Sequence, residues 1–233
     1  MKTLFDSMFR HGRLSPQETE RLFIDCSTID MPSSRQVADD VLNILGAQFV
    51  DAPVSGGVVG ARAGTLSFMF GASSNPIGNV ERIKSVLSLM GKKTWHMGEQ
   101  GAGVASKLAN NYILAINNIA TAEAMNMGVH WGLDPKALVD LINSSTGHCW
   151  PMAVNNPVPG VVEGSPASRG YEPGGSVGII NKDLRLAMAG AEASGIALAL
   201  AATAREVYNA VDSVYTGKDL SVVYQWLKDK SVK

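Results

Sequence analysis

A lysine and an asparagine four residues apart, Lys107 and Asn111, stand just behind three glycines in the stretch GEQGAGVASKLANN, Gly98–Asn111. On a helix, residues at that spacing stack on one face. Glycines admit a ligand close to the backbone, and the N–H groups at a helix start favour an anion. Backbone donors, a cation and an amide at one helix start are the parts of an oxyanion site. Ala102, Ala105, Leu108 and Ala109 form an apolar collar around the lysine. Desolvation lowers a lysine pKa from about 10.4, which lets the amine pass a proton near neutral pH. The ordinary alternative for a helical lysine is a solvated side chain.

Two further stretches carry chemistry. Asp51-Ala-Pro-Val-Ser55-Gly56-Gly57 leaves a strand end, where open α/β sheets bind ligands. Its glycines expose backbone N–H groups and Ser55 adds a hydroxyl, a donor set suited to a carboxylate or phosphate. An ordinary turn is the plainer reading of the same residues. Lys182-Asp183-Leu184 opens a helix after a long loop, and such a pair is ordinarily a surface charge pair. Gly101-Ala-Gly103-Val-Ala-Ser106 approaches the dinucleotide fingerprint, with Glu123 about twenty residues on. No strand follows the helix to close a βαβ unit, so that reading is rejected. His11, His96, His130 and His148 lack metal-ligand spacing. The methionines fall at helical spacing and read as core, and Trp150 sits in a loop as an anchor or a pocket wall.

The elements that must hold these residues divide the chain. Leu22–Asp25 reads as a short buried strand ending in Ser27-Thr28, followed by a helix from Asp30-Met-Pro32 to Leu45, closed by Gly46. A second strand, QFVDAPVSGG, completes a βαβ unit with a parallel pair. Thr65–Ala72 is a third strand by its aromatic content, Pro76–Met90 a helix, and Lys93–Met97 a last strand. Beyond Gly103 strand signals nearly vanish. A helix runs to Trp131, apolar or small on most sides, and such a helix is covered inside a domain or by a partner chain. A short helix to Asn143, a loop over 144–175 and helices over Val177–Ser194, Ala197–Val214 and Leu220–Lys230 follow. The first twenty residues are polar and irregular, with one apolar helical face at Leu4, Phe5, Met8 and Phe9.

Composition narrows the classes. The 233 residues are 45% hydrophobic and 18% charged, a core-forming chain. A net charge of −1 gives no reason to expect nucleic acid or an anionic membrane as partner. Apolar runs are broken well before a membrane-spanning length. Cys26 and Cys149 are far apart and suggest a reducing compartment without a disulfide framework. No secretory leader is evident, and Asp6 and Glu18 weaken a transit-peptide reading.

Taken together and in order, six stretches resemble the β-hydroxyacid dehydrogenase family over about residues 21–230. They are FIDCSTID (Phe23–Asp30), DAPVSGG (Asp51–Gly57), GAGVASKLANN (Gly101–Asn111), TAEAMNMGVHWGLDP (Thr121–Pro135), NPVPGV (Asn156–Val161) and NKDLRLA (Asn181–Ala187). The resemblance implies an α/β plus all-α fold. Residues 1–101 would be the C-terminal part of a Rossmann-like, doubly wound NAD-binding domain, and 102–233 an all-helical domain joined through the long helix. It implies oxidation of a small hydroxy-carboxylic acid, 3-hydroxyisobutyrate foremost, with NAD as cofactor. Lys107 would be the catalytic base, Ser55, Gly56, Gly57 and Asn111 would bind substrate, and Thr28 and Lys182 would touch the NAD. A homo-oligomer, dimer or tetramer, is expected, and a mitochondrial or otherwise cytoplasmic setting. A related reductase of tartronate or succinic semialdehyde, or an inactive oligomerisation module, are the alternatives. The family's opening strand and G-x-G-x-x-G turn have no counterpart here, so an N-terminally truncated chain is expected.

Overall fold

The computed structural model describes residues 21–72, 79–172 and 174–231. The apolar face expected at Leu4–Phe9, and the start of the helix expected from Pro76, lie outside the described residues. The chain divides after Leu108 into two compact units.

The first unit is built on a sheet. Strands β1 (Leu22–Asp25) and β2 (Gln48–Asp51) pair in parallel from Leu22↔Gln48 to Asp25↔Asp51. The crossover between them is α1 (Met31–Asp40). Asp30 caps it, its Oδ1 accepting from Ser33 N at 2.8 Å, with Pro32 in the first turn, where a missing N–H costs nothing. The helix widens to a π turn over Val41–Leu45 and stops at Gly46, whose φ of 69° is left-handed. Pro53 separates β2 from β3 (Val54–Ser55), which runs antiparallel to β4 (Leu66–Gly71). Between them lies a six-residue helix, α2 (Gly57–Arg62), in a stretch for which the sequence reading expects no helix. After α3 (Asn79–Leu87), strand β5 (Gly91–Gly98) returns parallel to β4. The sheet is therefore mixed, with β4 as the antiparallel member against β2 and β3.

Alternation along β2 shows that the sheet is covered on both faces. Phe49 packs with Val41, Leu45 and Ala47 on one side, while Val50 joins Phe68, Phe70, Ile83 and Leu87 on the other. Strand β1 is half-buried throughout, less enclosed than its apolar run suggested.

The second unit is helical. Helix α4 (Ala102–His130) begins in the first unit and continues into it. Then come α5 (Pro135–Asn143), the single turn α6 (Trp150–Ala153), a 3₁₀ turn at Pro166–Arg169, α7 (Val177–Ala193), α8 (Ala201–Val214) and α9 (Val223–Lys230). Met125, Val139, Met152, Leu184, Tyr208 and Val223 lie in one core. The long helix is not buried all round. A stripe at Ala109, Ile113, Ala120 and Met127 is exposed, with Ile113 60% and Met127 47% accessible. No described helix is long and apolar enough to cross a membrane.

Candidate functional site

In the first unit the glycine-rich turn is held from several directions. Asp51, at the end of β2, is fully buried. Its Oδ1 accepts from Gly101 N and its Oδ2 from Val104 N, each at 2.8 Å. The first N–H groups of a helix have no partner within it, and the carboxylate supplies one. Burial pushes the Asp51 carboxyl above its ordinary range, against the opposing pull of these N–H donors. Two glycines leave room for it. A Cβ on Gly103 would stand 2.5 Å from Met69 O and 2.7 Å from Asp51 O, and one on Gly71 would stand 2.6 Å from both Asp51 Oδ1 and Glu99 O. Arg35 Nε donates to Gln100 O at 3.2 Å, and Gln100 Nε2 donates to the buried Ser34 Oγ at 3.1 Å. His96 stacks on Phe70 and its Nε2 lies 2.9 Å from Ala72 O, a structural use of the ring.

Lys107 follows on the same helix and is only 8% exposed, so it is not a solvated lysine. Charged side chains are seldom buried without a reason. Ser55 is half-buried on β3. Gly56 and Gly57 take φ values of 131° and 60°, which side chains other than glycine avoid. Thr28 lies beyond the carboxyl end of β1, half-buried.

In the second unit, Asn111 is buried. Its Nδ2 donates to Asp183 Oδ2 at 2.5 Å, and its Oδ1 accepts from Asn110 Nδ2 at 3.0 Å. Asp183 is 1% exposed, so the Lys182-Asp183 pair is not the surface pair that its sequence suggested. Lys182 Nζ approaches Asp183 Oδ1 to 3.0 Å as an ion pair off the hydrogen-bond direction, its own side chain partly in solvent. An amide and an ammonium thus offset the cost of burying one carboxylate. The structure brings Asn111, Lys182 and Asp183 together. Sequence reasoning missed Asp51 and Asp183 as working residues. The available signal was position: one acid ends a strand, and the other lies nearly two turns into a helix that follows a long loop. Among the described residues no group of three or more His, Cys, Asp or Glu is arranged to hold a metal, and both cysteines are free thiols.

Residues 101–227 match the sequence family described as NAD-binding of NADP-dependent 3-hydroxyisobutyrate dehydrogenase, and residues 4–98 match the NAD binding domain of 6-phosphogluconate dehydrogenase. The bacterial 3-hydroxyisobutyrate dehydrogenase of Pseudomonas aeruginosa is 41% identical over 94% of this chain and 73% of its own length. The chain belongs to the 3-hydroxyisobutyrate dehydrogenase family. The mitochondrial member from Drosophila melanogaster is 45% identical over 90% of the chain, and the match spans 64% of the fly protein's length. Among solved structures, the Mycobacterium tuberculosis 3-hydroxyisobutyrate dehydrogenase with L-serine superposes with a TM-score of 0.82 at 40% identity, covering 89% of this chain and 70% of that one. The Rossmann-like sheet and the helical unit described above are the fold of this 3-hydroxyisobutyrate dehydrogenase family, which is NAD-binding.

Proposed function

We propose that the protein acts in the NAD-dependent oxidation of 3-hydroxyisobutyrate to its semialdehyde, a step of valine catabolism, with Lys107 as general base. The observation that carries this reading is the buried lysine on a helix whose start is locked to the segment carrying Ser55, Gly56 and Gly57. In this reading the backbone N–H groups and hydroxyl of that segment hold the substrate carboxylate. Lys107 takes the proton of the substrate hydroxyl during oxidation and returns it in reduction. Asn111, one helical turn on, helps orient the substrate, its own amide held by Asp183. Bound NAD would supply the hydride acceptor.

Thr28 and Lys182 are proposed as its contacts. The hydroxyl and carboxylate groups at the carboxyl end of β1 suit a polar cofactor. Ser27 and Thr28 lie there, and Asp25 Oδ2 is buried without a hydrogen-bond partner among the described residues. Carboxyl ends of parallel strands are where open sheets bind nucleotides. The exposed Ile113 and Met127 on α4 support a homo-oligomer, which sedimentation tests; a monomer refutes it. The compartment follows the animal relatives, and is mitochondrial in this reading.

The decisive experiment is Lys107→Ala with 3-hydroxyisobutyrate and NAD. Turnover falls by about 10² to 10⁴ while NADH binding, followed by fluorescence, is retained. Near-normal turnover in the variant overturns the assignment.

A further inference from the structure

We propose that Asp51 is a positioning residue for Lys107: its carboxylate fastens the segment that carries Ser55–Gly57 to the first turn of the helix that carries the lysine. The proposal rests on the reading of Lys107 as the working base.

Other side-chain helix caps among the described residues are local. Asp30, Asp134 and Ser176 each accept from an N–H three residues ahead on their own helix. Such a cap serves only the helix it opens. The start of α4 is capped instead from 50 and 53 positions away, by a residue on a strand. Asp51 also opens the DAPVSGG segment, so one carboxylate binds two pieces of chain that both carry proposed site residues. Its two oxygens go to two different N–H groups, Gly101 and Val104, and this bidentate hold sets rotation as well as distance. A single bond would leave the helix free to turn about it.

The surroundings are built for this contact. Gly71 and Gly103 lack the Cβ atoms that would strike Asp51 at 2.6 Å and 2.7 Å. The carboxylate is fully buried, where an ion is costly unless it is hydrogen-bonded. Lys107 stands one turn beyond Val104, so any rotation of the helix start carries the amine with it. A displacement near 1 Å at a reacting group costs about a hundredfold in rate.

The test compares Asp51→Asn with Asp134→Asn in the full chain. The first keeps shape but turns one acceptor into a donor facing an N–H group. The second makes the same change at a purely local cap. Three quantities are read: thermal unfolding, hydroxy-acid turnover with NAD, and the rate at which an amine-acylating reagent modifies Lys107, followed by mass spectrometry. Asp51→Asn is expected to lower kcat about a hundredfold with KM changed less than about threefold, and to shift Lys107 acylation at least about threefold. Asp134→Asn leaves both site readouts at wild-type values and stability little changed, because the amide oxygen still accepts from Ala137 N. If the Asn variant does not fold, Asp51→Ser, which keeps one acceptor, is read in the same way. Wild-type acylation in a folded Asp51 variant overturns the proposal and leaves Asp51 as a structural cap. The acylation readout needs no turnover. If the wild-type chain oxidises no hydroxy acid, the proposed function falls, and Lys107 labelling still decides whether Asp51 sets the lysine.

Discussion

One helix is held in two different ways along its length. In the first unit its start is gripped through backbone N–H groups by Asp51. In the second unit it is gripped through side chains. Asn111 donates to Asp183, and Asn118 Nδ2 donates to Tyr208 Oη at 3.1 Å and to Leu220 O at 2.9 Å. Tyr208 in turn donates to Ala115 O at 2.9 Å. A backbone grip is indifferent to most side chains at the helix start but demands glycines where the backbones meet. A side-chain grip tolerates ordinary backbone but makes each partner depend on the other. The first kind fails by intrusion, and the second fails by leaving a buried polar group unpaired.

Intrusion is the larger effect. Gly103→Ala puts a methyl against Met69 O and Asp51 O, both rigid backbone, and is expected to destabilise by about 3 kcal/mol in chemical denaturation. A loss below about 1 kcal/mol would show that the strand and helix can part, and the backbone grip would be looser than described. Asp183→Ala comes next. It strands the buried Asn111 amide, at a cost of about 2 kcal/mol. The double variant Asn111→Leu with Asp183→Leu recovers most of that loss, because removing both partners leaves nothing unpaired. Failure of the double variant to recover would mean that the pair contributes more than mutual satisfaction.

Tyr208→Phe removes one hydroxyl from the Asn118 network and costs about 1 kcal/mol, read from the thermal midpoint. The smallest effect is electrostatic and lies near the chain's end. The Tyr215 hydroxyl donates to Asp229, and that bond to a carboxylate, with some burial, raises its pKa above 10. A raised folded-state pKa means that the stabilisation is fully present below about pH 10 and is lost as pH rises through the folded value. Tyr215→Phe should therefore lower stability slightly at neutral pH and flatten the alkaline decline. An unchanged alkaline limb would remove Tyr215 from the account.

The same division between backbone and side chain explains what could be read in advance. Periodicity and caps made β1, β2, α1, β4 and the long helix legible, because apolar spacing and residues such as Asp30, Pro32 and Gly46 act locally. The short helix Gly57–Arg62 was not legible. Its residues also suit a turn, and only packing against β4, with Leu66 close to Gly56, selects the helix.

By itself the sequence determined the order of elements, the change from mixed α/β to helix near Gly103, the family, and the identity of the lysine, the glycines and the amide that could do chemistry. Those depend on local spacing and on residue type. Only the tertiary structure decided that Lys107 is buried, that Asp183 is an enclosed carboxylate and no surface charge, and that Asp51 caps a helix 50 positions away. The reason is physical. Burial and long-range hydrogen bonds are set by which surfaces meet, and an acid at a strand end carries no mark in the chain of the distant N–H groups it will accept from.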